Sequence, residues 1–68
     1  MKLSAKIKHP KPMSFIIEHD ENVGFYLYVY DDTTGRCTHD HLQDTLEIAK
    51  EQALEDFNVP LDSWSQMK

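Results

Sequence analysis

A chain of 68 residues, 40% hydrophobic and 28% charged, has room for one domain with a small core and is too apolar to stay disordered throughout. Its single cysteine, Cys37, excludes an intrachain disulfide framework and suits a reducing, cytoplasmic compartment; no apolar run approaches the ~20 residues of a membrane span, and the lysine-bearing N-terminus lacks a signal peptide's apolar segment. The net charge of −5 divides unevenly, with Lys2, Lys6, Lys8 and Lys11 ahead of the first acid and twelve acids against three basic residues beyond residue 12. Nucleic acid is therefore expected to meet this chain only at the lysines of its N-terminal arm.

Residues 1–12 read as a basic N-terminal arm or edge strand, and residues 13–68 as a single small α+β domain. In the arm, Leu3, Ala5 and Ile7 alternate with Lys2, Ser4, Lys6 and Lys8. That pattern fits a lysine-protected edge strand or a solvated tail, and a tail is the common fate of a terminus. His9-Pro10-Lys11-Pro12 interrupts it. Met13 to Glu18 is the first strong strand, with Met13, Phe15 and Ile17 on one face and Ser14, Ile16 and Glu18 on the other. A polar turn at His19 to Asn22 leads through Gly24 to Phe25–Tyr30, an aromatic, β-branched strand that pairs with the first as a hairpin. Gly35 follows Asp31-Asp32-Thr33-Thr34 in a second turn, and Arg36 to His41 is a weaker third strand.

Asp44 to Phe57 predicts a helix of about fourteen residues. Asp44 and Glu47 stand at capping-box spacing. Leu46, Ala49, Ala53 and Phe57 fall on one stripe with Leu54 on its shoulder, and Glu47, Glu51 and Glu55 form an acidic ridge opposite. Asn58 suits a left-handed helix end and Pro60 prevents continuation. The expected fold is α+β: a three-stranded antiparallel meander, with a possible fourth N-terminal strand, and one helix packed on one face. The row Phe25, Leu27, Val29 should meet that helix together with Phe15 and Ile17, or Ile16 in another register. Leu61 and Trp64 should close one end of the core.

Cys37, His39 and His41 are the only residues at a spacing that resembles a metal site, since alternate strand residues share a face. A fourth ligand would come from elsewhere, His19 or Asp44. Three ligands in a row do not surround a tetrahedron, and polar strand residues beside a small buried thiol are the commoner outcome. No metal or cofactor is therefore expected. An i, i+2 thiol–imidazole pair does not orient a base on a nucleophile, and a carboxylate ridge on a helix is usually a solvated face. No enzyme is expected either. Tyr26, Tyr28 and Tyr30, joined by Ile16, form the candidate interface, because tyrosine combines apolar area with a polar tip. Tyrosines are also ordinary strand residues that tolerate solvent.

The span from Phe15 to Phe57 resembles the small β-β-β-α domain of HicB-type antitoxins. The likeness rests on the aromatic strand Phe25–Tyr30, the turn at Gly35, and Asp44-Thr45-Leu46-Glu47 followed by Ala49 and Ala53. It implies a partial RNase-H-like domain without catalytic residues, often self-associating, that sequesters a small basic toxin nuclease. Gln43 replaces the glycine that usually precedes the Asp-Thr pair, and the Pro-rich approach to the Gly turn is missing. The family's DNA-binding C-terminal domain has no counterpart in the eleven residues after Phe57. The chain is equally similar to short bacterial proteins that pair such a helix with a Phe-x-Val…Trp tail, a likeness that implies no function. The expectation is a non-catalytic protein-binding module, antitoxin-like or immunity-like, that neutralises a small basic protein without touching a membrane. The alternatives are a self-associating domain, dimeric through its tyrosine face, and a metal- or small-molecule-binding protein.

Overall fold

The computed structural model describes residues 1–67. The expected hairpin is its centre. Strand β2 (Met13–Asp20) pairs antiparallel with β3 (Gly24–Asp31) over eight residue pairs, Met13 opposite Asp31 and Asp20 opposite Gly24. Strand β4 (Arg36–Gln43) continues the meander, two residues longer than its composition suggests, because Leu42 and Gln43 still pair with Tyr26 and Phe25. The N-terminal segment is a strand, not a tail, and its outer side is paired only in part. Residues Lys2–Ile7 form β1, antiparallel to β2, and a short β5 (Ser65–Gln66) pairs with Leu3 and Ser4 on its outer side. The fold is thus α+β, with one antiparallel sheet ordered β4-β3-β2-β1-β5 and one helix.

Helix α1 spans Leu46–Phe57 and packs against β2, β3 and β4. Its cap is not Asp44. Thr45 has an extended backbone and its Oγ1 accepts the Ile48 amide at 3.1 Å, which places Glu47 second in the helix and removes the capping-box geometry. Asn58 ends the helix in the left-handed conformation, φ 60°, and its N–H donates to the Ala53 and Leu54 carbonyls. Of the stripe, Ala49 and Ala53 are fully buried and Leu46 and Phe57 are packed at its margins, whereas Leu54 remains exposed. Two alanines at the contact let the helix axis approach the sheet closely. The core beneath them is Phe15, Ile17, Leu27 and Val29, with Met13 and Ala5 beside. Ile17, not Ile16, therefore faces the helix, as the alternation of β2 requires.

The tail closes the core differently from expectation. Leu61 is half exposed, while Val59 is fully buried and donates its amide to the Ala53 carbonyl. The register that sets Ser65 opposite Ser4 carries Trp64 to the helix side, where it packs against the core. No helix among the described residues is long and apolar enough to cross a membrane.

Candidate functional site

The helix covers one face of the sheet; the other face carries the candidate interface. Strand register arranges that face in three rows running from β4 to β1. Leu42, Tyr26, Glu18 and Lys2 form the first, Asp40, Tyr28, Ile16 and Ser4 the second, and Cys37, Tyr30, Ser14 and Lys6 the third. Ser65 of β5 extends the middle row. Tyr26, Tyr28, Tyr30 and Ile16 are each half-buried by their neighbours, and among the described residues no element of secondary structure lies over them. The rings of Tyr26 and Tyr28 stack with centroids 5.8 Å apart. Desolvation raises the Tyr28 phenol above its ordinary pKa, and the nearby Glu18, Tyr26, Tyr30 and Asp40 add to the shift. An open groove of about 420 Å³ runs beside this row, lined by Glu18, His19, Asp20, Tyr26 and Tyr28.

Cys37, His39 and His41 do not converge. A register shift between Val29 and Tyr30 sets Tyr30 opposite Cys37 but Val29 opposite His39, leaving Thr38 as the extra residue of a β-bulge. Directly opposed residues share a face, so Cys37 joins the tyrosine side while His39 and His41 turn to the helix side. There the two imidazoles stack at 6.0 Å, and His39 meets the edge of Phe57 at 5.7 Å. The Cys37 thiol is exposed and donates to the backbone carbonyl of His39. Among the described residues no three His, Cys, Asp or Glu side chains gather as a metal site would require. His19, one suggested fourth ligand, is stacked flat on Phe25 at 4.2 Å. Asp44, the other, is exposed just ahead of the helix cap.

The acidic ridge lies where the helical period places it: Glu47, Glu51 and Glu55 are all exposed. Two of the basic arm's four lysines are, by contrast, engaged within their own molecule. Lys2 pairs with Glu18 across β1 and β2 at 3.7 Å, and Lys11 reaches Asp31 at 3.0 Å.

Asp31 is a feature that strand alternation does not reveal. It ends β3 on the helix side, opposite buried Met13, and its carboxylate accepts the Thr33 amide at 2.9 Å, the Thr33 hydroxyl and the Lys11 ammonium. These hydrogen bonds, the Thr33 hydroxyl first, hold its carboxyl at about 2, below the usual 3.8. Its own carbonyl accepts the Gly35 amide at 2.7 Å, so one residue ties together the β3–β4 turn and the segment between β1 and β2. The Asp-x-Thr spacing of Asp31 and Thr33 is the available signal, since Asp readily hydrogen-bonds backbone two residues on. A second cleft, about 480 Å³, lies between that segment and the end of the helix and is lined by Ile7, Pro10, Met13, His39 and Phe57 among others.

The fold and surface define a small α+β protein with one open aromatic sheet face. Comparisons with family models, with curated proteins and with solved structures find no match to this chain.

Proposed function

We propose that this protein is a non-catalytic protein-binding module that buries its Tyr26–Tyr28–Tyr30 face on association. The observation that carries this reading is the uncovered sheet face itself, where three tyrosines and Ile16 stand half-buried in strict alternation with the core row. Tyrosine-rich surfaces of this kind bind at low entropic cost, because each ring adds large rigid area. The acidic body supplies the second half of the reading. Glu47, Glu51 and Glu55 project from the helix on the opposite side of the molecule, and such a charge accelerates encounter with a cationic partner. An antitoxin-like or immunity-like neutraliser of a small basic protein, working in the cytoplasm, fits both surfaces. The non-catalytic reading is supported by the placement of Cys37 and His39 on opposite faces and of the helix carboxylates in solvent.

The test is titration calorimetry with the small basic product of a flanking gene. Stoichiometric binding that weakens with salt is expected. Replacing Glu47, Glu51 and Glu55 together by lysine should slow association while leaving the melting temperature nearly unchanged. Absence of binding to any flanking product would overturn the neutraliser reading. A homodimer through the tyrosine face is the second reading, and the distribution of charge on that face favours it.

A further inference from the structure

The tyrosine face is electrically polarised along the direction of strand order. At the β1 edge stand Lys2 and Lys6, and at the β4 edge Asp40, with Glu18 and Asp20 on β2 between, at the end of the face near Tyr26. Lys2 is occupied by Glu18, but Lys6 and Asp40 are in no ion pair among the described residues. Asp32, at the turn end of the face, is held by the Ser14 hydroxyl at 2.8 Å. A surface with a basic edge, an aromatic centre and an acidic edge complements a copy of itself, provided the copy is turned so that unlike edges meet.

Two arrangements of two-fold symmetry bring this face against itself with the strands of the two sheets aligned, as face-to-face sheets commonly pack. A two-fold axis parallel to the strands, passing between β2 and β3, exchanges the β4 and β1 sides. It lays each Asp40 over the partner's β1, between the positions of Lys2 and Lys6, and seats Tyr28 of each copy over Ile16 of the other, with Tyr26 over Glu18 and Tyr30 over Ser14. An axis perpendicular to the strands lays β4 on β4 instead and brings Asp40 against Asp40. Only the first joins opposite charges. We infer that the tyrosine face takes a second copy of this chain about a two-fold axis parallel to the strands, giving an α/β/β/α sandwich.

This inference rests on the reading of the tyrosine face as an interface and names its occupant. In the sandwich both helices lie on the outside, so the ridges of Glu47, Glu51 and Glu55 are displayed twice, on opposite sides of the dimer. A cationic partner then meets acidic surface without competing for the tyrosines. Four strands at ~4.8 Å spacing and eight residues at ~3.4 Å give a footprint of about 520 Å² before side-chain relief. That approaches the ~600 Å² per partner at the lower bound of specific interfaces, so the dimer belongs with the weak, transient ones.

Sedimentation equilibrium from micromolar to millimolar chain concentration reads the outcome directly. Wild type should pass from monomer to dimer, and Tyr28→Glu should remain monomeric with an unchanged far-UV circular dichroism spectrum. Tyr28→Ser, which adds no charge, should weaken the dimer in the same direction and guards against a folding defect in the first variant. The axis is tested by charge. Asp40→Lys and Lys6→Glu should each weaken dimerisation about tenfold, and the double variant should restore it. Asp40→Asn should weaken the dimer; if it strengthens it, the perpendicular axis holds and the arrangement proposed here is wrong. A wild type that stays monomeric throughout overturns the self-association alone and leaves the face free for a different protein. A dimer indifferent to both Tyr28 variants overturns the use of this face altogether.

Discussion

Gly24→Ala strikes a tight joint in the sheet. Gly24 opens β3 at φ +142°, and an added Cβ would lie 2.5 Å from the carbonyl oxygen of Gln43, the last residue of β4. Two costs combine. A side chain at strongly positive φ stores about 1–3 kcal/mol. Relieving the overlap must move backbone at the end of β4, just ahead of Thr45 and the helix, at about another 1–3 kcal/mol. The sum, ~2–6 kcal/mol, is a large share of the roughly 3–10 kcal/mol expected for a domain of this length. Gly35→Ala is the natural comparison. Gly35 also has positive φ, +72°, yet nothing stands within 4 Å of its missing Cβ, so only the left-handed penalty of about 1–2 kcal/mol applies. Urea unfolding followed by the fluorescence of Trp64, the only tryptophan, measures both. With a slope of about 1 kcal/mol per molar, Gly35→Ala should lower the midpoint by about 1–2 M and Gly24→Ala by more than 2 M, or prevent folding. A midpoint for Gly24→Ala at or above that of Gly35→Ala would refute the account of the joint.

Thr45→Ala should cost about 1 kcal/mol in the same assay through loss of the helix cap, and Asp44→Ala much less; equal losses would return the cap to Asp44. For Asp31 the folded-state carboxyl, at about 2, lies below its usual 3.8, so its bonds stabilise the fold above pH ~4. That contribution disappears as pH falls from about 4 towards 2. The difference in melting temperature between wild type and Asp31→Asn should therefore be largest near neutrality and shrink across that interval, and a constant difference would rule out the Thr33–Lys11 network as its source. Zinc should leave the melting temperature unchanged and shift neither His39 nor His41 resonances specifically. A saturable response removed by Cys37→Ser would show that the bulge does not separate these side chains.

Alternation along β2 and β3 was enough to sort their side chains. Because successive strand residues point to opposite faces, Phe15 had to lie with Ile17 on β2, and Leu27 with Val29 and the three tyrosines with one another on β3; the register that sets Phe15 opposite Val29 then joined Ile17, not Ile16, to the core row. The helical period likewise placed Ala49 and Ala53 inward and Glu47, Glu51 and Glu55 outward, and Asn58 with Pro60 marked where the helix stops. These properties repeat at short range, so they are legible in the sequence alone. What depends on partners distant in the chain was not. Residues 2–7 become a strand because β2 offers an edge on one side and residues 65–66 return on the other. Val59 displaces Leu61 from the core because the αL turn at Asn58 aims it back over Ala53. The bulge at Thr38 arises in the pairing of β4 with β3, and a single extra residue there reverses the facing of Cys37 relative to His39, undoing a spacing that in isolation puts them on one side. Local periodicity assigns side chains to faces; only tertiary pairing sets the register between strands, and it is the register that determines which side chains share a site.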